Sequence, residues 1–220
     1  MQKKTWVPLL CAAFAGLADA AVVAKAVPYE IDGEAFEGVL LYDDSVTTPR
    51  PGLLAIANWM GVNDDTVDKA ARAAGSRYVV FLADMYGKAV RPSNADEARA
   101  AATSVRADRA LMRRRAQAAV EVLKAQGDEV ALDTRRLGAI GFCFGGGAVL
   151  ELARSGAPLQ GFVSFHGNLD TPDPADAKNI QAPVLVLHGA DDPAVPQAQV
   201  DGFVAEMKAA GVDWQLGRSE

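Results

Sequence analysis

Histidine and cysteine are scarce: two of each in 220 residues. The cysteines are Cys11 and Cys143, the histidines His166 and His188. So few cysteines exclude a small scaffold held by several disulfides. Positive charge is also short. The chain carries 22 Lys and Arg against 28 Asp and Glu, a net charge of −6. An acidic chain with no long basic segment argues against nucleic acid as a partner. Internal repeats and low-complexity linkers are missing. The uncharged apolar stretch near the start, Trp6 to Leu17, is too short to cross a membrane.

That stretch has the layout of a secretory signal instead. Lys3 and Lys4 form a basic start, the apolar run follows, and Ala18-Asp19-Ala20 offers small residues where a signal peptidase reads. Residues 1–20 are therefore expected to be cleaved, which places the mature chain in the periplasm or outside the cell. An upstream misplaced start in front of a cytoplasmic protein is the alternative. Leu9-Leu10 before Cys11 argue against a lipid anchor, since a small residue is expected before a lipidated Cys, so no stable membrane anchor is expected. Cleavage would leave one Cys and no internal disulfide.

The remaining residues, 21–220, suit one domain. Short apolar runs alternate with helical patterns, which predicts α/β architecture with a mostly parallel sheet and helices on both faces. Strands are expected at Val39–Tyr42, Gly52–Ala57, Tyr78–Ala83, Leu137–Gly141, Phe162–Phe165 and Val184–Leu187, with another beginning at Val212–Leu216. Asp64–Ala74 reads as a helix stopped by Gly75. Within residues 93–125, Met112, Ala116, Ala119, Val120 and Leu123 share one helical face. Arg113-Arg114-Arg115 on that helix reads as a solvated face. Val200, Phe203, Val204 and Met207 give a last amphipathic helix, ending at Gly211.

Gly141-Phe142-Cys143-Phe144-Gly145 joins a strand-like run to a helical one. This is the pattern of a nucleophile elbow with Cys in the place of Ser. A sharp strand-to-helix turn presses backbone against backbone, and glycine on either side of the nucleophile relieves the crowding. Cys143 would project at a helix N-terminus, where free N–H groups stabilise a thiolate. The alternative is a buried structural Cys in a glycine-rich turn.

In such sheets ligands bind beyond the carboxyl ends of the strands. The loop after Gly52–Ala57 holds Asn58 and Trp59. An elbow takes one oxyanion donor from the residue after the nucleophile and another from an earlier loop. Here those are the backbone N–H groups of Phe144 and Trp59. Tyr86 and Lys88 follow the Tyr78 strand and are candidates to line a pocket and hold a substrate anion; packing and a surface charge are the alternatives. Asp192, after the Val184 strand, is the candidate acid in preference to Asp191, which reads as a turn residue. His166 and His188 both stand at strand ends.

With Asn58-Trp59-Met60-Gly61, Asp84-Met85-Tyr86-Gly87, the elbow, Ser164-Phe165-His166-Gly167 and His188-Gly189-Ala190-Asp191-Asp192 in this order, the chain resembles the dienelactone hydrolase family of α/β-hydrolases. The resemblance covers roughly Tyr29 to Leu216. It implies a Cys–Asp–His triad with Cys143 as nucleophile and Asp192 as acid. It also implies hydrolysis of a small-molecule carboxylic ester or lactone through an acyl-enzyme, without metal or cofactor; the chain itself is expected to be a monomer. Two departures stand out. Many members carry His-Glu where this chain has Ala57-Asn58. No His follows Asp192, although the family places one just after the strand that Val212–Leu216 begins. The expectation is a chain incomplete at its C-terminus, with the last strand and His loop cut short, that acylates but turns over poorly. A ligand-binding protein without turnover is the alternative. Asn58 and His166 join Tyr86 and Lys88 as candidate substrate contacts, and His166 is the understudy for the missing base.

Overall fold

The structure is a computed structural model that describes residues 22–190 and 192–219. The segment read as a secretory signal and the turn residue Asp191 lie outside the described residues. Strands β1 (Val22–Ile31) and β2 (Glu34–Asp43) form a hairpin turned at Asp32 and Gly33, both with positive φ. Then follow β3 (Arg50–Ile56), α1 (Asp64–Ala74), β4 (Val79–Ala83), α2 (Ala95–Ala107) and α3 (Arg109–Ala125). After these come β5 (Leu132–Phe142), α4 (Phe144–Arg154), β6 (Phe162–Phe165), β7 (Val184–Gly189), α5 (Gln197–Ala210) and β8 (Trp214–Ser219).

The eight strands form one sheet in the order β1-β2-β4-β3-β5-β6-β7-β8. β1 and β2 are antiparallel, and every pairing from β4 to β8 is parallel. The parallel strands are the apolar runs that the sequence shows, because a strand covered on both faces has no polar side to display. β1 was not expected. It is an edge strand whose Lys25 and Glu30 interrupt the apolar pattern. β8 pairs with β7 along its whole length, from Val184 opposite Trp214 to Gly189 opposite Ser219.

The two faces have different cover. Leu54, Ile56, Phe81 and Ala83 share one core with α3 and α4. The alternate positions Ala55, Ala57, Val80 and Leu82 share the other with Ala70 and Ala74 of α1. α1 is placed by local rules: Asn63 accepts the Thr66 N–H at 3.0 Å, the Thr66 hydroxyl accepts the Asn63 N–H in return, and Gly75 ends the helix. Among the described residues α1 covers only part of its face. Over β5 and β7 the side chains of Phe142 and Leu187 remain 38% exposed.

One expectation inside residues 93–125 is corrected, and the helix expected there has a second one before it. The segment is two helices, split where Asp108 leaves the helical conformation and accepts the Leu111 N–H at 2.8 Å to start α3. The arginine run is not one solvated face. Arg115 is buried, pairs with Glu34 at 2.6 Å and lies 4.9 Å over the Phe36 ring. Arg113 donates to Glu151 at 2.8 Å and to Asp176 at 2.6 Å. Only Arg114 stays mainly in solvent, within reach of Asp32. Arg154, 1% exposed, completes the buried network by bonding Glu206 at 2.7 and 2.8 Å, Glu151 at 3.0 Å and the Leu169 carbonyl at 2.9 Å. So many charge-assisted bonds are what a fully buried guanidinium requires.

Candidate active site

β5 runs into α4 through a single residue. Cys143 has φ 56° and ψ −117° and is the N-cap of α4. An L-residue at this φ is strained by roughly 1–3 kcal/mol, and such strain persists only where the surroundings impose it. They do so here through glycines. A Cβ on Gly141 would stand 2.1 Å from the Gly145 carbonyl oxygen, and one on Gly145 would stand 2.1 Å from that of Ile56. Gly146 and Gly167 press on each other in the same way. The Cys143 N–H donates to the Phe165 carbonyl at 2.9 Å, and its own carbonyl accepts from Gly146 at 2.9 Å. The thiol is the one free cysteine among the described residues, and it is half-buried.

Beside it opens an apolar cavity of about 320 Å³. Cys143, Asn58, Trp59 and His166 line it at the carboxyl ends of the strands. Thr66, Lys69, Ala70 and Ala73 of α1 line it from above. These four α1 positions form one helical stripe. They went unrecognised in the sequence because a stripe of small residues reads equally well as packing against a sheet.

The candidate residues divide cleanly. Asn58, Trp59, Cys143 and His166 come together on the cavity, with Phe144 opening α4 next to the thiol. The Asn58 Oδ1 accepts the Met60 N–H at 2.9 Å, which leaves its amide nitrogen as a donor for a ligand. Phe144 is the first residue of α4, where a backbone N–H has no intrahelical acceptor. His166 is exposed, with φ 40°. Lys88 does not line this cavity. Its ammonium pairs with Glu37 at 2.7 Å on the surface, because the chain after β4 turns back toward β2. That turn is held by Asp84, whose carboxylate accepts from the Tyr86 and Gly87 N–H groups and meets Arg91.

Tyr86 is buried and does not line the cavity; it braces it. Its hydroxyl donates to the Trp59 carbonyl at 2.8 Å, and its ring packs 5.5 Å from that of Phe144. Burial first, then the nearby Cys143 and Asp84, push the phenol well above its ordinary 10.0, so it stays a donor. Asp192 lies in the loop after β7, and its Oδ1 accepts the Ala194 N–H at 2.9 Å. It is not among the cavity residues, and among the described residues no His donates to it. His188 is buried within β7, away from the cavity.

The sequence model of the Dienelactone hydrolase family matches residues 36–218. The chain belongs to that family. A relative from Methylorubrum extorquens, provisionally named a carboxymethylenebutenolidase, is 28% identical over 173 residues, 74% of this chain. The match spans 58% of that relative's length. Among solved structures, a dienelactone hydrolase-like promiscuous phosphotriesterase from metagenomic libraries is 39% identical, with a TM-score of 0.84 over 90% of this chain and 82% of the other. An acylaminoacyl peptidase from Pyrococcus horikoshii, 13% identical, matches 90% of this chain and 37% of its own with a TM-score of 0.68. It shares the fold, which is that of the α/β-hydrolases.

For this dienelactone hydrolase family member, Tyr86 joins the two loops proposed to supply oxyanion donors. Tyr86→Phe leaves the Trp59 carbonyl without its partner and is expected to cost about 1 kcal/mol of stability in urea unfolding. A loosened Trp59 loop is further expected to slow labelling of Cys143 by an aryl acetate roughly tenfold. Alkylation by iodoacetamide, which develops no oxyanion, should be unchanged. Equal losses in both reactions would show that Tyr86 serves only the fold.

Proposed function

We propose that the chain is a carboxylic ester or lactone hydrolase that works by covalent catalysis at Cys143. The sulfur attacks the carbonyl carbon, and the developing oxyanion is held by the backbone N–H groups of Trp59 and Phe144. The C–O bond to the leaving group breaks with its electron pair on that oxygen. The thiol proton passes to a base or to solvent, and a thioester remains. Water then attacks the thioester and restores the thiol. The observation that carries this reading is the geometry of Cys143: a left-handed residue at the N-terminus of α4, at the edge of an apolar cavity.

The second half of the cycle needs a base, because water is a poorer nucleophile than a thiolate. His166 is the histidine on the cavity, and Asp192 does not orient it. Acylation is therefore expected to outrun deacylation. Stopped-flow mixing with 4-nitrophenyl acetate should give a burst of nitrophenolate, close to one per protein, followed by slow steady release. His166→Ala should leave the burst in place. If turnover is instead robust and disappears in His166→Ala, this histidine is the working base. If there is no burst and no turnover, the site binds without chemistry.

A further inference from the structure

The cavity beside Cys143 extends back from the strand ends, and its floor is set by register. Leu82, Ala55 and Ile140 stand in one row across β4, β3 and β5, since Ala55 pairs with both of the others. Ala57 lies two residues nearer the strand ends on the same face. The roof is the α1 stripe, where Ala70 and Ala73 face the cavity. From Thr66 to Ala73 the helix rises about 10 Å, which sets the scale of the depth. The space exists because four of these positions are alanine. A helix rests on a sheet at a distance fixed by its larger contacts, and a methyl group on each side cannot fill the gap.

The two polar groups that α1 brings to this chamber, away from Asn58 and His166 at its mouth, are already engaged. The Thr66 hydroxyl donates to the Gly61 carbonyl at 2.9 Å and accepts the Asn63 N–H at 3.0 Å. Lys69 is the cation on the lining, and its ammonium is 2.6 Å from Asp65. A carboxylate entering here would leave water without gaining an unpaired cation. We propose that the chamber is an acyl-chain subsite that takes the neutral, apolar acyl group of an ester and rejects acyl groups ending in a carboxylate. The proposal rests on the Cys143 nucleophile put forward above: the thioester carbonyl sits at the strand ends, and the chain lies between α1 and the Leu82–Ala55–Ile140 row.

The test is the rate of Cys143 labelling, followed by nitrophenolate release and intact-protein mass. The probes are the 4-nitrophenyl esters of acetate, butanoate and hexanoate, together with pentanoate and the 4-nitrophenyl monoester of glutarate. The rate is expected to rise toward hexanoate, by up to about fourfold for each fully buried methylene. The anionic glutarate ester should react at least about tenfold more slowly than pentanoate, the price of taking a carboxylate out of water. Ala73→Leu should lower the hexanoate-to-acetate ratio about tenfold by filling the chamber. Equal rates along the series, or a glutarate ester as fast as pentanoate, would overturn the subsite on the unaltered chain. An unchanged ratio in a folded Ala73→Leu would also overturn it. If no ester labels Cys143, the nucleophile reading itself falls and takes the subsite with it.

Discussion

Cys143→Ala is expected to lower the rate of aryl ester acylation by at least about a thousandfold, since the atom proposed to form the covalent bond is gone. A residue from the oxyanion donors and binding should remain above the uncatalysed rate. Cys143→Ser should recover little of the loss. An alcohol must be deprotonated to attack, and His166 is the histidine on the cavity to do it. The same position offers a stability test that is independent of chemistry. Cys143 holds φ 56°, which glycine adopts without penalty. Cys143→Gly is therefore expected to stabilise the fold by up to about 1 kcal/mol, whereas alanine keeps the strain. Acylation that persists in Cys143→Ala would remove Cys143 from the mechanism. A destabilised Cys143→Gly would show that the backbone there is not strained.

Gly145→Ala is the second large effect, and it acts on the fold. The added methyl would lie 2.1 Å from the Ile56 carbonyl oxygen and 2.5 Å from that of Ala57. Both are backbone atoms at the end of β3, so no side chain can swing away. Either α4 or the central strand must move, and α4 is buried throughout. A loss of roughly 3–5 kcal/mol is expected, at the upper end for overpacking. Gly202→Ala is the matching control. Gly202 lies within α5 with nothing within 4 Å of its would-be Cβ. There, alanine's higher helix propensity should stabilise by up to about 1 kcal/mol. Urea unfolding of the two variants checks both signs. A Gly145→Ala protein within 1 kcal/mol of its parent would contradict the tight elbow.

The readable parts of this chain were those governed by neighbours in sequence. The elbow glycines, the helix Asp64–Ala74 with its Gly75 stop and the buried parallel strands each follow from local turn chemistry or from a continuous apolar run. So does the place of Cys143, because strand, cysteine and helix are contiguous. Charge partners were not readable. Arg113 and Arg115 find Glu151, Asp176 and Glu34 far along the chain, so a run that looks solvated from its own helix is half tied into the interior. Lys88 looked free for a substrate until the turn after β4 set it against Glu37. The cavity is the clearest case of what tertiary structure alone decides. Ala55, Ala57, Ala70 and Ala73 look like ordinary core positions in sequence. The space beside them depends on register, which aligns Leu82, Ala55 and Ile140 in one row, and on α1 laying Ala70 and Ala73 over the same cavity. Empty volume is a property of two surfaces at a fixed separation, and no single segment encodes it.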